Sequence, residues 1–156
     1  MTQNSLDNSL KTRVLTFILQ DEIYGIDITE IKEIIAYTKP TKIPKTPEFL
    51  VGVINLRGNI IPVVDLRKKF KMQSSESQNE AIVIASFSGV NLGFLVDSVE
   101  EVVPTDASMH SEPPKFSEKI DANYVRSMIR AGDRVIMLLN IESLFSSEEL
   151  ANFEGL

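Results

Sequence analysis

The feature that most constrains this chain is that its sequence repeats. Leu92 to Val103 can be laid over Tyr24 to Ile35, with Gly93 on Gly25, Val99 on Ile31, Glu101 on Glu33, and Val102-Val103 on Ile34-Ile35. Further on, VRSMIRAGDRVIMLLNIESLF lies over the stretch that ends at Phe70. Gly132-Asp133 then takes the place of Gly58-Asn59, Asn140 that of Asp65, and Phe145 that of Phe70. Each copy reads strand, strand, short helix, loop, strand, tight turn, strand, helical turn. A unit of about 55 residues buries only a marginal core alone. The duplication therefore predicts two small β units that pack together and share hydrophobic surface.

Residues 1–12 are polar and read as a disordered tail. VLTFILQ and IYGIDI, separated by a turn at Gln20-Asp21-Glu22, predict a first hairpin. In ITEIKEIIAY, Ile28, Ile31, Ile34 and Ile35 have helical spacing, which predicts a short helix capped by Thr29. Pro40, Pro44 and Pro47 then punctuate a crossing loop. The stretch Phe49 to Phe70, FLVGVINLRGNIIPVVDLRKKF, predicts a hairpin with a two-residue Gly58-Asn59 loop. Gly58 and its counterpart Gly132 are expected at positive φ, and Arg57 is held beside the turn. Asp65 suits the N-cap of a helix from Leu66 to Phe70. Met72 to Asn79 reads as a linker or loop, Gly89 to Gly93 as a hairpin turn, and Pro104 to Asn123 as a loop longer than its counterpart. Ser146 and Glu149 have capping-box spacing for a terminal helix ending near Phe153.

Composition removes several chemistries. The chain has no cysteine, so it has no disulfide, no thiolate metal site and no cysteine nucleophile. That suits a reducing cytoplasm. His110 is the one histidine, placed in a polar loop and read as solvated, so no zinc site and no other metal site is expected. Neither a P-loop lysine motif nor a GxSxG or GxGxxG element is present. Asp27 and Asp65 can be imagined as an acid–base pair, but Asp65 is explained as a cap. No catalytic residue and no cofactor is assigned. A net charge of −6 argues against nucleic acid. The densest basic cluster, Arg67-Lys68-Lys69 with Lys71, reads as a solvated helix face. The polar N-terminus lacks a signal-peptide core, and no stretch approaches the ~20 apolar residues of a spanning helix. What remains is surface, with Arg57 at its centre, because the guanidinium fork suits interfaces.

Tyr24-Gly25-Ile26-Asp27-Ile28, Glu33-Ile34, Gly52-Val53-Ile54-Asn55-Leu56-Arg57-Gly58 and Ile61-Pro62-Val63-Val64-Asp65-Leu66 together resemble the signature of the CheW chemotaxis coupling proteins. The likeness runs from about Val14 to the C-terminal helix. It implies a mainly β fold of two intertwined five-stranded SH3-like barrels around a shared hydrophobic core, with short helices. On that reading residues 13–156 form one domain, with the first barrel at about 13–79, the second at about 80–145 and a C-terminal helix at about 146–154. The resemblance implies a non-enzymatic, cytoplasmic adaptor recruited to membrane receptor arrays. Its expected partners are the cytoplasmic domains of chemoreceptors and the regulatory domain of the histidine kinase CheA, with no nucleic acid and no membrane insertion. The family's receptor surface maps onto Ile31, Glu33, Asn55, Arg57, Val99 and Val102, and its kinase surface onto Ile28 and Ile34. The competing reading from another class is a small β-barrel enzyme with an unrecognised carboxylate site.

Overall fold

The computed structural model describes residues 11–73, 78–113 and 121–155. Eleven strands are named in chain order: β1 (Arg13–Leu19), β2 (Glu22–Asp27), β3 (Ile31–Ala36), β4 (Leu50–Leu56), β5 (Asn59–Asp65), β6 (Ala81–Phe87), β7 (Val90–Val96), β8 (Ser98–Pro104), β9 (His110–Ser111), β10 (Val125–Ala131) and β11 (Arg134–Leu139). Two short α-helices complete the set, α1 (Leu66–Lys69) and α2 (Ser147–Glu154). The strands form two sheets, of order β8-β1-β2-β11-β10-β9 and β3-β6-β7-β5-β4.

The repeat is visible in this order, with an exchange. The hairpin β1–β2 of the first half lies in one sheet with the late strands β8 to β11 of the second. The hairpin β6–β7 of the second half lies in the other sheet with β3, β4 and β5 of the first. A parallel pair closes each exchange: β2 beside β11 (Tyr24↔Met137) and β7 beside β5 (Phe94↔Val64). A division of the chain near residues 79–80 therefore does not separate the sheets; each half lends its first hairpin to the other. Gly25 and Gly93 sit at the equivalent points of closest approach. A Cβ on Gly25 would drive into Val14 and Ile136, and one on Gly93 into Ile82 and Ile84.

The main core is shared accordingly. Phe17, Tyr24, Phe70 and Tyr124 form a run of stacked rings with centroids 6.2, 6.0 and 5.6 Å apart, drawn from both halves. Such pairs add about 0.5–1.5 kcal/mol each beyond burial. Smaller clusters lie within each sheet, around Ile54, Ile82 and Ile84 in one and around Val14, Ile129 and Ile136 in the other. The terminal helix α2 forms as its sequence predicts: Ser146 Oγ accepts from Glu149 N, and Glu149 Oε1 accepts from Ser146 N. Its Phe153 packs edge-on against Phe145 at 5.2 Å.

The structure corrects several local readings. The stretch expected as a helix is instead a 3₁₀ turn, Ile28–Glu30, followed by β3, and the cap is Asp27 rather than Thr29. Ile31, Glu33 and Ile35 face inward and Lys32, Ile34 and Ala36 outward, so period two wins over 3.6. The β-branched isoleucines favour that outcome. The hairpin loops are one residue earlier or shorter than expected. Leu56 pairs with Asn59, so the loop is Arg57-Gly58, with φ of 52° and 87°. Gln20-Asp21 (48°, 68°) and Ser88-Gly89 (51°, 78°) have the same double positive φ, which a type I′ turn requires. Glu22 and Val90 to Gly93 therefore belong to strands. Ala131 pairs with Arg134 around Gly132-Asp133, where Gly132 has φ of 64°. Gly132 is thus the counterpart of Arg57, not of Gly58.

Arg67 is not on a solvated face: it is 4% exposed. His110 is not in a solvated loop either. It lies on β9, half buried, with Nδ1 2.8 Å from Ser127 Oγ and Nε2 3.1 Å from Thr105 Oγ1. Of the tail, Thr12 is tied down through its carbonyl, which accepts from Thr105 N at 2.7 Å. Residues 1–10, most of the Met72 to Asn79 linker's centre (74–77) and 114–120 of the long loop lie outside the described residues.

Candidate protein-interaction surface

The β4–β5 hairpin tip is the most specifically built part of the surface. Its two-residue loop forces Arg57 into left-handed backbone, a conformation costing on the order of 1 kcal/mol for a residue other than glycine. Asn55 holds the turn, its Oδ1 accepting from Gly58 N at 2.9 Å. Arg57 Nη2 donates to Glu33 Oε1 on β3. The side chains are 69% and 31% exposed, so this pair adds little to stability but fixes where the guanidinium points. β3 and β4 are the two edges of their sheet, and the pair joins them. A backbone bridge between Thr41 and Val53 closes the same barrel, with bonds of 2.8 and 2.9 Å.

Three of the residues expected at a receptor surface, Glu33, Asn55 and Arg57, are therefore brought together. Ile31 lies on β3 beside Glu33, half buried against the shared core. Val99, its counterpart in the repeat, does the same from β8, the edge strand of the other sheet. Val102 on β8 is 43% exposed, and Ile34 on β3 is 44% exposed. Ile28 packs on the shared core from the 3₁₀ turn. Ile28 and Ile34 do not share a helical face, since no helix is present there.

The repeat supplies features that reading of the sequence missed. Arg134, just after the β10–β11 turn, bonds Glu101 on β8, which mirrors Arg57 and Glu33. Glu101 is the repeat counterpart of Glu33, but with the turns matched Arg134 falls on Asn59 and not on Arg57, so overlaying the two copies does not reveal it. Of the five large apolar side chains exposed among the described residues, four come in matched positions, Ile34 with Val102 and Ile60 on β5 with Val135 on β11; Tyr37 has no apolar counterpart. Ser111↔Met128 in β9–β10 repeats the Thr41↔Val53 bridge.

Behind the hairpin lies a buried ionic cluster. Arg67 donates to Asp65 (3.1 and 3.2 Å), Glu80 (3.0 Å) and Asp97 (2.8 Å). Asp65 also caps α1, accepting from Arg67 N at 2.9 Å, and Asp97 accepts from Gln20 N at 2.8 Å. Burial opposes the charge on Arg67, but the bond to Asp65 and the attraction of Asp65, Asp97 and Glu80 outweigh it, holding its pKa above the usual value. On the 3₁₀ turn, burial pushes the Glu30 carboxyl up despite its 3.1 Å bond from Arg126. Among the described residues no group of His, Cys, Asp or Glu is arranged to hold a metal. No helix among them is long and apolar enough to cross a membrane. Asp27 and Asp65 have separate structural duties, at the 3₁₀ turn and at α1.

The chain matches the CheW-like domain family over residues 13–149. It is 39% identical over 138 residues to the chemotaxis protein CheW of Klebsiella aerogenes, covering 88% of this chain and 83% of the relative. It is 33% identical over 154 residues to CheW of Treponema pallidum, covering 96% and 91%. A crystal structure of the scaffolding protein TtCheW from Thermoanaerobacter tengcongensis superposes with a TM-score of 0.82 at 36% identity, covering 90% of this chain and 91% of that one. Two SH3-like barrels sharing one core, the repeated hairpins and these likenesses agree: the chain belongs to the CheW-like family of chemotaxis scaffold and adaptor proteins.

Proposed function

We propose that this protein is a non-enzymatic coupler that links the cytoplasmic domains of chemoreceptors to the regulatory domain of the histidine kinase CheA. The observation that carries the reading is the Arg57 tip: an exposed guanidinium in a two-residue turn, aimed by Glu33 and seated by Asn55, in a chain of the CheW-like family. A preset arginine loses little entropy on docking. The receptor surface comprises Ile31, Glu33, Asn55, Arg57, Val99 and Val102. Ile31 and Val99 supply apolar area at the margin of the shared core, and Val102 extends it. The kinase surface lies on the first barrel's outer side, where Ile34 offers exposed apolar area and Ile28 supports the strand from below. The protein works in the cytoplasm at receptor arrays. Co-sedimentation of a receptor cytoplasmic fragment and the kinase, with and without this chain, tests the reading. The chain should bring kinase into the receptor pellet; failure to bind either partner refutes it.

A further inference from the structure

An acidic protein with a net charge of −6 carries a compact cationic cleft beside the proline-punctuated loop, away from the Arg57 tip. The proline-punctuated loop after β3 and the helix α1 enclose a space of about 400 Å³ lined by Lys42, Lys45 and Lys68, with Ile43, Leu50 and Val51 supplying apolar wall. Glu48 is the one carboxylate among its lining residues. Among the described residues no ion pair or hydrogen bond engages the ammonium of Lys42, Lys45 or Lys68. Lys68 is half buried, so it faces the cleft rather than open solvent. Favourable placement at the end of α1 accounts for Lys68, but not for two further lysines on a separate loop.

The loop is rigid. Pro40, Pro44 and Pro47 restrict it, and both backbone bonds between Thr41 and Val53 anchor it. Thr46 Oγ1 donates to the Ile43 carbonyl at 2.9 Å, and Leu50 N to the Pro47 carbonyl at 3.0 Å. Gly52, at φ of 147°, exists to let Thr41 pass: a Cβ there would collide with the Thr41 carbonyl. Lys45 is held in left-handed backbone with φ of 63°, a strained state for lysine that presents its side chain at the rim. Fixed cations around an apolar wall lower the entropy lost when a ligand docks.

We propose that this cleft binds an acidic peptide segment of another protein, in which one aliphatic side chain is flanked by carboxylates. The aliphatic group enters against Ile43, Leu50 and Val51, and the carboxylates meet Lys42, Lys45 and Lys68. Nucleic acid is disfavoured, because there is no aromatic stacking platform in the lining and the rest of the molecule is acidic. A membrane surface is disfavoured because the apolar side chains are walls of a recess and not projections. Leu50 and Val51 open β4 and Arg57 follows its end, so the cleft and the tip lie about 20 Å apart along one strand. The two sites can be occupied together.

The test uses the full chain and a fluorescein-labelled peptide in which a central leucine is flanked by two glutamates on each side. Fluorescence anisotropy should show saturable binding with Kd at or below ~1 mM. Raising the salt should weaken it, since the pairs are partly exposed. The variant K42E/K45E/K68E should lose at least about tenfold in affinity, three attractions having become repulsions. Lys42 and Lys45 are exposed loop residues, so K42E/K45E alone should leave the melting temperature unchanged, whereas the reversal at Lys68, half buried at the end of α1, lowers it slightly. A peptide with lysines in place of the glutamates should not bind, and Arg57→Ala should bind the acidic peptide normally. If the triple variant destabilises the fold, K42Q/K45Q gives the same comparison. The proposal is overturned if no saturable binding is seen, if the variants bind as the parent does, or if phosphatidylglycerol vesicles bind through these lysines and the peptide does not.

Discussion

Replacing Arg67 by alanine should be the most damaging change available outside the apolar core. The guanidinium is 4% exposed, and it donates to Asp65 and Asp97, which are 3% and 6% exposed, and to Glu80. These partners come from both halves: Asp65 ends β5, Glu80 precedes β6, and Asp97 follows β7. Without the arginine, two buried carboxylates lose the cation that compensates them. Breaking a buried ion pair by removing one partner costs about 3–5 kcal/mol. For a chain of this size about 1 kcal/mol moves Tm by roughly 2–4 °C, so a fall on the order of 10 °C is expected. Arg67→Lys keeps the charge, but one ammonium cannot span carboxylates on three elements, so roughly half the loss should remain. Urea titration followed by far-UV circular dichroism reads both variants, since the chain has no tryptophan. The raised pKa of Arg67 keeps it charged throughout the accessible range, so its own ionisation adds no pH dependence. A loss below about 1 kcal/mol for Arg67→Ala would show that the cluster is solvated and stabilises no more than a surface pair.

Three further outcomes follow from the backbone. Gly52→Ala should cost more than an ordinary surface change, about 2–4 kcal/mol, because the Thr41 carbonyl occupies the place of a Cβ; an unchanged Tm would refute the close approach. Gly58→Val should cost about 1–3 kcal/mol from backbone strain alone, as nothing lies within 4 Å of the added carbon, and circular dichroism melting reads it directly. A fragment ending at Asn79 should lack a cooperative melt, since it leaves β1–β2 without β8 and β11, and β3 and β5 without β6 and β7; a sharp transition matching the full chain would contradict the exchange.

The hairpins and both helix caps were legible because they are local: Asp65 and the Ser146–Glu149 box act within three residues of themselves. The repeat was legible because it is a likeness between two stretches of sequence and needs no knowledge of contacts. The strand exchange was not legible, because nothing in β1–β2 says that its parallel neighbour is β11, over a hundred residues away. The Ile28 to Ala36 stretch was ambiguous in kind, since Ile28, Ile31, Ile34 and Ile35 satisfy a helix while Ile31 and Ile35, with Glu33 between them, share one face of a strand. Its β-branching was the better guide. The Arg57-Gly58-Asn59 run offered two registers for a two-residue loop, and the pairing of Leu56 with Asn59 chose the one that places Arg57 itself at positive φ. The burial of Arg67 was invisible beside Lys68 and Lys69, because Glu80 and Asp97 meet it only through the fold. At the candidate site the prominence of Arg57 was legible, and its pairing with Glu33 became so only once β3 and β4 were known to be facing edges.

We propose that the Arg57 tip is an interaction element and not a stabilising one. Titrating Arg57→Ala against a receptor cytoplasmic fragment and, separately, against the regulatory domain of CheA, with Tm as control, tests it most directly. Truncating an arginine at an interface centre commonly costs about 2 kcal/mol or more. Receptor affinity should therefore fall at least tenfold, kinase affinity should change much less, and stability should stay within about 0.5 kcal/mol, as for an exposed side chain. Normal receptor binding by the variant, or loss of its fold, would contradict the claim.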